Sequence, residues 1–360
     1  MTTTTSASAD AAPAVPGSGI KLGLSLYSLT SEWAAGRYDL RGILDVVAGA
    51  GIGPGIEINA SQMLRTYPHV GDGFVREWHD AFDRHGFVAS SFGCNLDMGR
   101  RRDRDMTPDE EYEFTEAQFR SAHALGFRKA RIQSAKPELI RRLVPLADEL
   151  GLTLGWEIHA PMGPNSPQVV ALRELYDEID SPRLGFVADF SSTMHSMSPT
   201  LLRALTKKGL APADLDRLQE IWATDAGINE RHAEFVDYLH SRGIRPESLG
   251  SFARLAFNMH GHVDPREWTD IMPRIVHVHA KFYDIDQHGD EPAIDYPAHV
   301  RELVAGGYSG FMSSEWEGHA FADLDEADPV DLVRRQHDLI RRAIAQALAD
   351  GLAPATERRD

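Results

Sequence analysis

Between residues 20 and 350 the chain alternates short apolar runs with longer segments whose apolar positions recur at helical period. The runs "KLGLSLYS" (21–28), "PGIEIN" (54–59), "FVASSFGCN" (87–95), "KARIQS" (129–134), "LTLGWEIH" (152–159), "RLGFVADF" (183–190), "RIVHVHAKF" (274–282) and "GFMSSEW" (310–316) read as buried strands. Segments such as "DGFVREWHDAFDRHG", "PELIRRLVPLADELG" and "DPVDLVRRQHDLIRRAIAQAL" separate them as amphipathic helices, several ending in Gly just before the next strand. Eight strands alternating with helices predict a parallel sheet closed into a (β/α)8 TIM barrel over residues 20–350, an α/β fold.

The rhythm breaks once. More than eighty residues lie between the sixth and seventh strands, where one crossover helix would suffice. The pattern predicts a long helical insertion over about 192–270, and such connections emerge at the catalytic face of a barrel. Outside the alternation, the Thr/Ser/Ala/Pro-rich residues 1–19 and the end at 351–360 are expected to be flexible tails, and no linker between them suggests a second domain.

Composition narrows the function classes. Lys+Arg of 37 against Asp+Glu of 54 gives a net charge of −17, which disfavours nucleic acid and anionic membranes as partners. Cys94 is the only cysteine, so neither an intrachain disulfide nor a thiolate metal cluster is possible. The N-terminal stretch lacks the basic start and apolar core of a signal peptide, and a cytoplasmic location is expected.

The chemistry concentrates on the last four strands. In "RIVHVHAKF", residues two apart share a face, so His277, His279 and Lys281 project together into a surface that should be apolar. Barrel enzymes react at the C-terminal ends of their strands. There the fifth strand presents Glu157 and His159, the sixth Asp189, the seventh His279 and Lys281, and the eighth Glu315 and Glu317. Clustered carboxylates repel unless a cation joins them, and oxygen ligands with one imidazole suit Mn²⁺ or Mg²⁺, with Zn²⁺ or Co²⁺ also possible. Spacing alone leaves His277 as the alternative to His279 and Glu317 as the alternative to Glu315. Tyr27 and Trp156 are candidate sugar-stacking aromatics, and Glu57 and Asn59 share a strand face from which substrate hydroxyls could be reached.

The set "WEIH", "VADF", "HVHAKFYD" and "SSEWEG" resembles the sugar isomerase/epimerase superfamily with the xylose-isomerase-like barrel. The resemblance implies a divalent metal, commonly Mn²⁺, held by Glu157, Asp189, His279 and Glu315. Within the superfamily, the long sixth-to-seventh connection and the "DEPAIDYPAHVRELVAGGYSGFMSSEWEG" ending are most similar to the large (α) subunit of bacterial C-glycoside deglycosidases. That likeness implies a metal-dependent carbon–carbon lyase acting on 3-oxo-C-glycosides, with a small β subunit as partner. Glu157, Glu315, His159 and Lys281 are the candidates for catalysis. A sugar isomerase or 3-epimerase is the alternative, but many of those carry a His three residues after the metal Asp. Here Ser192 stands at that place, leaving His159, His195 or the "NMHGH" histidines 260 and 262 to take the role.

Overall fold

The computed structural model describes residues 12–96 and 100–352. Its centre is a closed barrel of eight parallel strands in sequence order: β1 (Lys21–Ser25), β2 (Gly55–Asn59), β3 (Val88–Gly93), β4 (Lys129–Ile132), β5 (Thr153–Ile158), β6 (Leu184–Asp189), β7 (Ile275–Phe282) and β8 (Phe311–Trp316). Helices wrap the outside, and their apolar stripes share one continuous core with the strands. The helix Pro108–Ala124 begins in a reciprocal cap between Thr107 and Glu110, while Asp72–His85 and Pro137–Leu150 stop at Gly86 and Gly151, whose positive φ lets the chain turn into the next strand.

The connection from β6 to β7 holds four α-helices, Pro199–Lys207, Pro212–Trp222, Ile228–Ser241 and Phe252–Asn258, followed by the 3₁₀ segment Pro265–Arg274. It is not a separate domain. Its inward residues Leu201, Leu205, Leu218, Ile221, Trp222, Phe235, Leu239 and Phe257 are buried in the same core as the barrel. Among the described residues no helix is long and apolar enough to cross a membrane.

The N-terminal residues correct one expectation. Residues 1–11 and 353–360, parts of the expected tails, lie outside the described residues, and within 12–19 Ala12 and Ser18 are buried while Pro13, Ala14, Pro16 and Gly17 are exposed. Ala12 packs with Val88 and Phe311 at the N-terminal end of the barrel, Val15 N–H donates to the Ile20 carbonyl at 2.7 Å, and Ser18 is buried. The reason is local: Ala12 lies against the apolar side chains of Val88 and Phe311, which begin β3 and β8.

Three buried histidines outside the carboxylate cluster make stability pH-dependent. His260, His299 and His337 donate or accept at Nε2 with Ser198 Oγ (2.9 Å), Thr193 Oγ1 (2.8 Å) and the Gly23 carbonyl (3.0 Å). Burial holds each ring down to about 4. Between their ordinary value and about 4, the unfolded chain therefore binds protons that the folded chain refuses. Stability is complete above that window and is lost as pH falls through it, at up to about 1.4 kcal/mol per pH unit for each ring. Thermal denaturation should show Tm falling from pH 7 to pH 5, and His337→Gln should reduce that difference. An unchanged difference would mean that the native fold already accommodates the charged ring.

Candidate active site

Strand register sets the depth of each polar group. Pairing of Asp189 with His279, and of Lys281 with Glu315, stacks the acids of β6 and β8 on either side of β7. His277, His279 and Lys281 of β7 face the barrel interior, where they are buried to 2 % exposure or less. A deep layer forms first. Glu57 on β2 reaches across the barrel, taking His277 Nε2 at 2.8 Å on one oxygen and His279 Nε2 at 2.9 Å on the other.

The layer above is the acidic one. His279 Nδ1 lies 2.6 Å from Glu157 Oε1, 3.2 Å from Glu315 Oε2 and 3.6 Å from Asp189 Oδ2. One ligand atom from each of Glu157, Asp189, His279 and Glu315 falls within 4.8 Å of all the others, the dimension of a single cation's coordination sphere. Lys281 Nζ stands beside them, 2.8 Å from Glu315 Oε2 and 3.4 Å from Asp189 Oδ2, and donates to Glu317 Oε2 at 2.6 Å. Tyr27 O–H donates to the other Glu317 oxygen at 2.7 Å. Glu317 is thereby committed to Tyr27 and Lys281, and His277 to Glu57, so neither alternative enters the cluster.

Charge in this layer is unbalanced. The carboxylates of Glu157, Asp189, Glu315 and Glu317 are faced by the permanent cations Lys281 and Arg131. Burial would raise the Glu157 carboxyl, but Arg131 and His279 outweigh it and hold it at about 2. Burial likewise opposes charge on His279, yet Glu315, Glu57 and Glu157 raise it well above its ordinary value. Glu315 moves the other way, because burial, Asp189 and Glu157 together outweigh His279 and Lys281. Asp189 Oδ2 and Glu315 Oε2 are buried without a hydrogen bond of proper geometry, although both lie within ion-pair range of Lys281. Two acceptor oxygens aimed at one point, with an imidazole nitrogen and a third carboxylate beside them, are a donor set that fits a hard divalent cation. The Nε2 bond to Glu57 is the outer contact that commonly orients a ligating imidazole.

Above the cluster opens a cavity of about 390 Å³, within the range of small-molecule sites, lined by Tyr27, Trp156, Glu157, His159, Lys281, Glu315 and Glu317 among others. A larger groove of about 780 Å³ between the helices Leu40–Gly49 and Asp72–His85 contains none of these groups. Of the four histidines left open by the sequence, His159 lines the cavity. Its Nδ1 is tied to the Ala160 carbonyl at 2.9 Å, which places the N–H there and leaves Nε2 as the free ring nitrogen. His195 and His262 instead line a separate groove with Trp222, and His260 is buried against Tyr283.

Several lining residues carry no sequence motif. Arg131 is buried, 3.7 Å from Glu157 Oε2, and its guanidinium approaches the Cys94 carbonyl at 3.4 Å. An arginine inside the apolar run of β4 was the available signal. Asn59 and Gln133 also line the cavity, whereas Glu57 serves the barrel interior. Met162 and Met259 reach the wall from loops whose position no periodicity could reveal.

Comparison with known proteins places the chain in a family. The family described as Xylose isomerase-like TIM barrel matches residues 44–343. The C-glycoside deglycosidase alpha subunit of Arthrobacter globiformis is 59% identical over 334 residues, covering 93% of this chain and 95% of the relative. The 3'-dehydrocarminate deglycosidase alpha subunit of a Microbacterium species is 35% identical over 342 residues, covering 92% and 97%. The solved structure of an L-ribulose 3-epimerase superposes with a TM-score of 0.53 at 13% identity, covering 95% of this chain and all of that one (100%), a likeness of fold. By its barrel and by its identity over nearly its whole length, the chain belongs to the xylose isomerase-like TIM barrel family and, within it, to the C-glycoside deglycosidase alpha subunits.

Proposed function

We propose that this chain is the catalytic subunit of a metal-dependent lyase that cleaves the C–C glycosidic bond of 3-oxo-C-glycosides. The observation that carries the reading is the convergence of Glu157, Asp189, Glu315 and His279 Nδ1 beneath a cavity, in a chain 59% identical to a C-glycoside deglycosidase alpha subunit. Those four residues would hold a divalent cation, Mn²⁺ by preference, which when bound would supply Lewis acidity toward a ketone oxygen.

The chain's own groups do the rest. His159, with Nδ1 engaged by Ala160, takes the proton from the carbon between the ketone and the glycosidic carbon at Nε2. Glu157, Glu315 and Lys281 are already committed to buried ion pairs, so they orient and balance charge rather than shuttle the proton. The electron pair forms the double bond to the glycosidic carbon, the bond to the aryl carbon breaks, and that aryl carbon takes up a proton from a second acid on the aglycone side, while His159 gives its proton back to solvent. Atoms balance without water or nicotinamide, and the products are free aglycone and an unsaturated keto sugar.

Relatives named as alpha subunits support a second, small β subunit as partner. The four-helix connection between β6 and β7 contributes Met259 to the cavity wall, so a subunit docked on that connection can also close the site and exclude water. The test is co-expression with a candidate β subunit, size-exclusion chromatography, and chromatography of products from a 3-oxo-C-glycoside. A hetero-oligomer releasing aglycone is expected. Interconverted free sugars without aglycone would replace the lyase by an epimerase, and an isolated chain as fast as the mixture would remove the partner.

A further inference from the structure

Next to the acidic cluster, the cavity wall carries Trp156, Met162 and Met259, which the proton transfers above do not use. The indole N–H of Trp156 donates to the Gln133 carbonyl at 3.1 Å, so its ring is fixed. Both methionines are only partly buried, and both sit on pinned backbone. Met162 N–H donates to the His159 carbonyl at 3.1 Å, and the Met259 carbonyl accepts from Tyr283 O–H at 2.7 Å.

The two turns that carry them also lock together. A Cβ placed on Gly163 would lie 2.7 Å from a Val263 methyl, and one on Gly261 would lie 2.4 Å from the Ser192 carbonyl oxygen, so only glycine permits either approach. Gly261 N–H donates to the Ser191 carbonyl at 2.7 Å and Val263 N–H to the Ser192 carbonyl at 3.0 Å. The Met259 turn is thus bolted to the residues that follow Asp189. Rigid backbone here presents two unbranched thioethers, whose torsions adapt to the outline of a ring and whose sulfur makes favourable contacts with aromatic faces and edges.

We propose that Met162 and Met259, against the fixed ring of Trp156, form the subsite for a planar aromatic aglycone and set the enzyme's selectivity for it. The inference rests on the lyase reading and deepens it. The cavity lining combines the charged groups of Glu157, Lys281, Glu315 and Arg131 with Trp156, Met162 and Met259; on this proposal the sugar meets the former and the aromatic carbon framework the latter. Aglycones then differ in how much of this wall they cover.

The experiment uses the Mn²⁺-loaded hetero-oligomer and compares Met162→Ser, Met259→Ser, the double Ser variant and the corresponding Leu variants. Because the Tyr283 contact is made by the Met259 backbone, truncating the side chain leaves it in place. The double Ser variant is expected to raise KM about tenfold for a 3-oxo-C-glycoside with a fused two-ring aglycone, from a few-fold at each sulfur. Its inhibition constant for 3-oxo-glucose, which has no aglycone, should change less than about twofold, and Leu should restore most of KM by volume alone. An unchanged KM, or an equal loss of affinity for the bare sugar, would overturn the assignment. Saturable quenching of tryptophan fluorescence by a free planar phenolic aglycone, weakened in the double Ser variant, tests the subsite even if no C-glycoside is turned over. Absence of quenching in the unaltered protein would overturn the subsite alone, whereas binding without turnover would overturn the reaction alone.

Discussion

Dialysis against a chelator is expected to abolish turnover, and Mn²⁺ to restore it. The loss should reach a thousandfold or more, about 4 kcal/mol, because the charge developing on the ketone oxygen would otherwise face Glu157, Asp189 and Glu315. Substituting any ligand should act through the same route. Asp189→Ala or His279→Ala removes a donor and leaves buried carboxylates facing one another, so metal content measured by mass spectrometry should fall while circular dichroism reports a folded barrel. His279 carries the sharpest version, since His277 lies on the same strand face only one layer deeper. Full activity in His279→Ala with unchanged metal content would transfer the ligand role to His277.

His159→Ala is expected to lower kcat by roughly a thousandfold, within the range by which a positioned general base accelerates proton transfer. Metal content should stay at the level of the unaltered enzyme, because His159 is not among the four residues whose ligand atoms converge. That separation distinguishes proton transfer from metal loss, which a ligand substitution cannot do. Added imidazole should recover part of the rate by diffusing into the cavity left by the ring. A His159→Ala enzyme that retains most of its activity would exclude this histidine as the base and return the role to Glu157 or Glu315.

The β6–β7 connection ties the site to the outer helices through hydrogen bonds rather than through a hinge. Trp222 Nε1–H donates to the His260 carbonyl at 2.7 Å, His260 stacks on Tyr283 at 5.1 Å, and the Tyr283 carbonyl accepts from Trp316 Nε1–H at 2.9 Å. This chain of contacts joins the helix Pro212–Trp222 to the end of β8, one residue beyond Glu315. The wall of the cavity is therefore tied down where it meets the proposed metal ligands, as a site that must hold its geometry requires.

What the sequence by itself determined follows from period. Alternation of eight apolar runs with helical segments dictated the barrel, and the two-residue repeat in "HVHAK" dictated that His277, His279 and Lys281 share the interior face. The run-ending acids of β5, β6 and β8 were legible for the same reason, as was the long connection after β6. Period says which face a residue takes, but neither its height along the barrel nor the neighbour it meets across it. Those came from closure and strand register. Only they set Glu57 of β2 against the two histidines of β7, gave Glu317 to Tyr27 and Lys281 while Glu315 stayed in the cluster, and brought Arg131 to Glu157. Loop packing decided that His159 lines the cavity while His195, His260 and His262 lie elsewhere, and it set Ala12 against Val88 and Phe311 under the barrel, because contacts between distant segments leave no periodic trace in the chain.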